Sequence, residues 1–313
     1  MSSASSPPRS TLALIALVVG ALGIATSGIF VRWSETGPIA TAFWRGALAL
    51  PLLALWAARG RGMGAARPGG PPRDIRFLWA GFFFAGDLAL WHWSLLMTSV
   101  AASTLEANQA PIVVTLIAWL IWGERPRPRF LLALAMALSG VLLMVSPKLA
   151  AGRGAMRGDL LGLGTACFYA GYIVVVSRLR SAHDTGAVML RTTVVFTVLL
   201  LPLALTEKFL PDSRSSWADL VGLALIAQVF GQGLIAFALA HLPATFGSVG
   251  LYMQPIASAV YAWLLLGERL TPLQLVGAGV VLVAIALARA SRARRTPSVG
   301  LGSEGALARG DLE

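Results

Sequence analysis

The stretch Pro111–Pro128, PIVVTLIAWLIWGERPRP, returns 144 residues later as Pro255–Pro272, PIASAVYAWLLLGERLTP. Nine of the eighteen positions are identical, among them Ala118-Trp119-Leu120, Gly123-Glu124-Arg125 and the prolines at both ends. A match of that length and spacing inside one chain marks an internal duplication, which decides the fold before local propensity does. Each copy ends an apolar run at a charged Gly-Glu-Arg turn, as a membrane helix does where it meets the polar interface. The chain reads as one unit of membrane helices used twice.

Composition agrees. The 313 residues are 57% hydrophobic and 12% charged, with a mean hydropathy of +0.74. Soluble domains carry about 25% charged residues, so a soluble globular chain is excluded. The net charge of +11 does not point to nucleic acid, because the arginines fall in the gaps between apolar runs and form no one-sided stripe. Cys167 stands alone, so neither a disulfide framework nor a metal-binding pair is expected, and no cofactor is implied. The first run, residues 11–31, is longer than a signal-peptide core and is read as retained.

At about 20 apolar residues per crossing, ten spans can be drawn. They cover residues 11–31, 38–58, 77–97, 100–122 and 130–147, then 158–178, 186–206, 217–239, 244–266 and 272–290. The expected fold is all-α and polytopic, with repeat one over 11–147, a linker at 148–157 and repeat two over 158–290. Tails at 1–10 and 291–313 flank them. Five spans per repeat is an odd number, so the second copy enters the membrane upside down, about a pseudo-two-fold axis in the membrane plane. Basic residues then gather on the side of both termini: Arg59, Arg61, Arg67, Arg73 and Arg76, Arg125–Arg129, Arg178, Arg180 and the C-terminal arginines. That makes both tails cytoplasmic, in the inner membrane of the cell.

With the halves aligned, the chain resembles the EamA family of the drug/metabolite transporter superfamily. The two Pro…Gly-Glu-Arg blocks, Phe43-Trp44-Arg45 in span two and Gly158-Asp159-Leu160-Leu161 at the start of span six carry the resemblance, over about residues 11–290. It implies a ten-helix secondary carrier with a central site between the repeats, serving a small-molecule substrate in a lipid bilayer. It assigns no role to Asp87 or Glu106, and it leaves substrate, direction and monomer-or-dimer state open.

Ionisable groups inside a bilayer are costly and functional by default. Asp87 is mid-span in span three, on one helical stripe with Phe83, Trp91 and Ser94. A carboxylate beside aromatic rings suits a cationic amine, and it is a candidate to take up and release a proton. Glu106, with Gln109 on its face, lies toward the end of span four at a depth similar to Arg45, and a Glu106–Arg45 pair would offset two desolvation costs as a tie or gate. Arg191, the repeat mate of Arg45, shows no evident partner and is expected to snorkel. In the second half Gln232 aligns opposite Asp87, and Tyr252 shares a face with Ser248, whereas Gln254 points elsewhere with Ser258. His92 suits packing or a proton relay. Pro111 and Pro255 fall within apolar runs, where each would free a carbonyl and break its helix.

Enzyme chemistry finds little support. There is no His-Glu-x-x-His pair, no Gly-x-Ser-x-Gly elbow and no second intramembrane aspartate to accompany Asp87. The absence of a GxxxxGK[ST] sequence removes direct ATP use. The expected function is secondary-active export of a small polar or amphiphilic metabolite, amino acid or amine-like, by alternating access and coupled to protons. A lipid or lipid-linked sugar flippase is the alternative.

Overall fold

The computed structural model describes residues 9–60, 73–97, 107, 109–123, 125–149, 156–266 and 271–293. Their regular structure is all helical and falls into ten stretches in chain order. Span one is Arg9–Ala25 with Ser27–Trp33, span two Pro38–Ala47 with Leu50–Gly60, and span three Arg76–Met97. Spans four and five are Ala110–Trp122 and Pro128–Leu149. Spans six and seven are Met156–Leu179 and Thr185–Ala204. Span eight runs Arg214–Gly222, Leu223–Gln232 and Gly233–Ala238. Span nine is Ala244–Gly250 with Met253–Leu266, and span ten Pro272–Ala293. Spans one, two, six, seven and eight are each long and apolar enough to cross a membrane.

The ends of these helices follow from the sequence. Asp184 begins span seven by accepting the Ala187 N–H at 2.8 Å, and Ser213 begins span eight by accepting the Ser216 N–H at 3.1 Å, each satisfying a first-turn donor. Gly123 ends span four in the left-handed region at φ +66°, with its N–H on the Trp119 carbonyl at 3.0 Å. A side chain would strain that position, so the glycine of the duplicated Gly-Glu-Arg block is there for its backbone.

Helix packing repeats under exchange of the two halves. Span three lies on span six, and span eight on span one; span four lies on span six, and span nine on span one. Spans two and seven, four and nine, and five and ten each meet their own mates. The loops show that one half is inverted. The loop between spans one and two, the first of repeat one, meets the second loop of repeat two: Glu35 accepts the N–H groups of Asp212 and Ser213 at 2.9 and 3.0 Å. In return Glu207 accepts the N–H groups of Ile39 and Ala40 at the start of span two, at 2.8 and 3.2 Å, a favourable place for a carboxylate. At the other end the roles reverse. Asp74, in the second loop of repeat one, meets His183, in the first loop of repeat two, at 3.2 Å. Two copies lying the same way up would instead place first loop beside first loop.

Close backbone approach holds the mates together. A Cβ added at Gly140 in span five would stand 2.7 Å from the Gly277 carbonyl oxygen of span ten, and one at Gly20 in span one 2.8 Å from that of Gly231 in span eight. Only glycine allows those helices so near. The outer surface is apolar, with Leu120, Val198, Leu264 and Leu282 exposed, as lipid-facing helices require.

Candidate functional site

The centre of the bundle is polar. Arg45, in the first helix of span two, is 4% exposed, and its Nε donates to Gln228 Oε1 of span eight at 2.9 Å. Gln228 Nε2 donates in turn to Thr193 Oγ1 of span seven at 3.1 Å. The guanidinium lies 5.6 Å from the centre of the Phe84 ring, a cation–π distance. Phe84 stacks on Tyr172 at 4.6 Å, and Tyr172 is parallel to Tyr169 at 6.0 Å. A buried cation needs such partners, because an uncompensated one costs several kcal/mol.

Asp87 of span three is half-buried beside this group. It interacts electrostatically with Arg45, Tyr169 and Tyr172, but it lies beyond ion-pair contact with Arg45. The two groups are therefore coupled electrostatically without a direct ion pair. Span three comes close to span six here because Gly86 packs on the Phe168 ring, where a Cβ would collide.

The other site residues expected from the sequence are placed as follows. Gln232 is 1% exposed and Tyr252 0%. Trp91 is half-buried, with its ring 5.1 Å from that of His92. His92 Nδ1 is 2.7 Å from the Leu88 carbonyl oxygen. Gln109 is half-buried at the start of span four. Glu106, and with it the Glu106–Arg45 pair, lies outside the described residues.

Several details depart from the sequence reading. Arg191 has a partner, the Phe77 ring, 4.8 Å away. Gln254 joins the central group: its side-chain amide and that of Gln232 stand by the Tyr169 hydroxyl. Span nine is interrupted by a turn at Leu251 and Tyr252. Pro111 and Pro255 stand in the first turn of a helix rather than inside one, where a proline removes no helical hydrogen bond.

Gln228, Tyr169 and Tyr172 were missed altogether. A glutamine inside an apolar run was the available signal for Gln228. The unforeseen element is span eight itself, whose Leu223–Gln232 stretch is π-helical and carries both buried glutamines. Hydrophobic patterning does not reveal the wider turn, and such turns gather at functional sites. Among the described residues no group of His, Cys, Asp and Glu could hold a metal ion.

The model of the EamA-like transporter family matches residues 11–146 and again 156–290. The chain belongs to the EamA-like transporter family. Among its relatives is the pseudopaline exporter CntI of Pseudomonas aeruginosa (strain UCBPP-PA14), 28% identical over 254 residues, which cover 81% of this chain and 86% of that protein. The threonine/homoserine exporter RhtA of Escherichia coli (strain K12) is 26% identical over 133 residues, 41% of this chain and 44% of that one. A crystal structure 18% identical in sequence superposes with a TM-score of 0.75, covering 92% of this chain and all of the other; it shows the shared fold. As an EamA-family chain the protein is a multi-pass membrane transporter of the drug/metabolite type, and it serves a small-molecule substrate.

Proposed function

We propose that the protein is a secondary-active exporter that moves a small polar or amphiphilic metabolite, amino acid or amine-like, across the inner membrane by alternating access. The repeats over residues 11–147 and 158–290 rock about the central polar group, and both tails lie in the cytoplasm. Asp87 holds the cationic part of the substrate and exchanges it for a proton, with Trp91 on its helix; Gln232 and Tyr252 are contributed from the second repeat. Glu106 and Gln109 line the approach along span four, Glu106 with Arg45 as a gate, and the helix starts at Pro111 and Pro255 are the flexing points.

One observation carries this reading. Asp87 is half-buried midway along span three, coupled to Arg45 without contacting it and to Tyr169 and Tyr172 of the second repeat. An intramembrane carboxylate so placed suits ion or substrate handling better than simple packing. Relatives named as exporters support the outward direction.

Uptake of a panel of amino acids, amines and nucleotide sugars into proteoliposomes, with and without an imposed pH gradient, tests it. At least one amine-bearing member should move and respond to the gradient. Movement of lipid reporters with no panel member transported would replace the carrier with a flippase.

A further inference from the structure

The repeats are tied to one another at both faces of the membrane, but the two ties are built differently. At the face of Asp74 and His183, His183 Nε2 lies 3.2 Å from Asp74 Oδ2. An ionised carboxylate only accepts, so the imidazole donates. Asp74, 8% exposed, is also held within its own repeat, by Arg76 Nε and Nη2 at 2.9 and 2.6 Å and by the Arg76 N–H at 3.0 Å. His183 is likewise held within its own: Arg180 donates through Nη1 to the His183 carbonyl oxygen and through Nε to the Ala236 carbonyl oxygen of span eight, the latter at 3.2 Å. Phe77 of span three completes the contact, its ring centre 4.8 Å from the His183 ring and 4.8 Å from the Arg191 guanidinium. When these loops part, the Asp74 charge stays paired with Arg76 and the His183 turn stays tied to Arg180. No charge is left uncompensated, which is what makes breaking an ion pair expensive.

At the opposite face repeat one depends on repeat two. Gly37 precedes span two and offers no side-chain cap, and the first N–H groups of that helix, those of Ile39 and Ala40, are taken by Glu207 of the other repeat. Around this cap the Gly37 N–H donates to the Lys208 carbonyl oxygen at 2.9 Å, Trp44 Nε1 to that of Phe209 at 2.8 Å, and the Glu35 N–H to Ser216 Oγ at 3.0 Å. Glu35 accepts from Asp212 and Ser213 in return. Separation here strips a helix of its cap and breaks several bonds to backbone atoms at once.

Alternating access needs two faces that do not open together, and unequal ties set the order in which they yield. We propose that the Asp74–His183 contact is a gate latch, which parts to admit the carried molecule while the Glu35–Glu207 clamp keeps the opposite face shut. The latch rests on the carrier reading, and in the orientation proposed above it lies at the cytoplasm, where an exporter loads.

Distances between pairs of spin labels on the full chain in lipid nanodiscs test it, in a Cys167→Ser background. Labels on Arg73→Cys and Ser181→Cys report the latch, and labels on Arg32→Cys and Arg214→Cys report the clamp; all four positions are exposed. Opening of the latch appears as a second, longer distance between positions 73 and 181. His183→Leu should raise that population about tenfold or more over wild type, the scale of losing one hydrogen bond to a charged group, with the 32–214 distance unchanged. His183→Gln, whose amide can still donate to Asp74, should keep the wild-type distribution. If His183→Leu fails to fold, Asp74→Ala gives the same reading. An unchanged 73–181 distribution in the folded variant overturns the latch. So does a 32–214 distance that lengthens with it, or a His183→Gln variant that opens as far as His183→Leu. Opening of the latch alone, in a protein that transports no member of the amino acid, amine and nucleotide sugar panel, would sink the carrier reading and leave the latch standing.

Discussion

Arg45 Nε donates to Gln228 Oε1 at 2.9 Å, joining the first repeat to the π-helical stretch of the second at the centre of the molecule. Gln228→Leu removes an uncharged partner from a buried cation. A hydrogen bond to a charged group contributes about 1.5–3 kcal/mol, so the variant should unfold at a clearly lower temperature in detergent. Thr193→Val, one step further along the chain from the charge, should cost about 1 kcal/mol. Equal melting of Gln228→Leu and wild type would show that Arg45 does not depend on this bond.

Spans five and ten offer a paired test of helix packing. Gly140→Ala places its methyl group 2.7 Å from the Gly277 carbonyl oxygen, a backbone atom that cannot turn aside, and should destabilise by about 1–3 kcal/mol. Gly279→Ala, on span ten, meets nothing within 4 Å and should be neutral or gain up to about 1 kcal/mol from helix propensity. Thermal unfolding of both variants separates close packing from a general intolerance of larger residues.

How much of this was legible in the chain depended on the range of the signal. The duplicated Pro…Gly-Glu-Arg block and the apolar runs exposed the repeats, the ten spans and the helix end at Gly123, because those features are local and periodic. Asp87 was found because a carboxylate in a hydrophobic run is conspicuous wherever it falls. Tyr169 and Gln228 were not, since their partners lie on other spans and are not visible from one stretch of sequence. A backbone irregularity also hid Gln228: the π-helical Leu223–Gln232 shifts its side chains, and helical spacing counts straight through it. The Glu35, Glu207 and Asp74 ties join residues more than a hundred positions apart, beyond any pattern in one stretch of sequence.

The Asp74 tie predicts a pH dependence. Hydrogen bonds from Arg76, one of them at 2.6 Å, hold the Asp74 carboxyl well below the usual carboxylate range, and His183 adds to the effect. A carboxylate with a depressed folded-state value stabilises fully above its unfolded value of about 3.9, and that stabilisation is lost as the pH falls through the lower folded value. The difference in unfolding temperature between wild type and Asp74→Asn should therefore shrink as the pH falls from about 4 towards 2. A difference that grows below about pH 4 would contradict the assignment.

Orientation follows from the distribution of arginines. Reporter fusions after residues 65 and 300 should both report the cytoplasm. A C-terminus on the opposite side from residue 65 would be incompatible with two inverted five-span repeats.

Asp87 is the centre of the account, and proteoliposome transport of the best panel substrate by wild type and Asp87→Asn tests it most directly. Wild type should accumulate that substrate when a pH gradient is imposed. Asp87→Asn should lose gradient-driven accumulation by tenfold or more, the scale of losing about 1.4 kcal/mol or more of coupling, while the purified variant keeps its wild-type unfolding temperature within a few degrees. Accumulation by Asp87→Asn with the same rate and the same response to pH would contradict the assignment of Asp87 as the coupling residue.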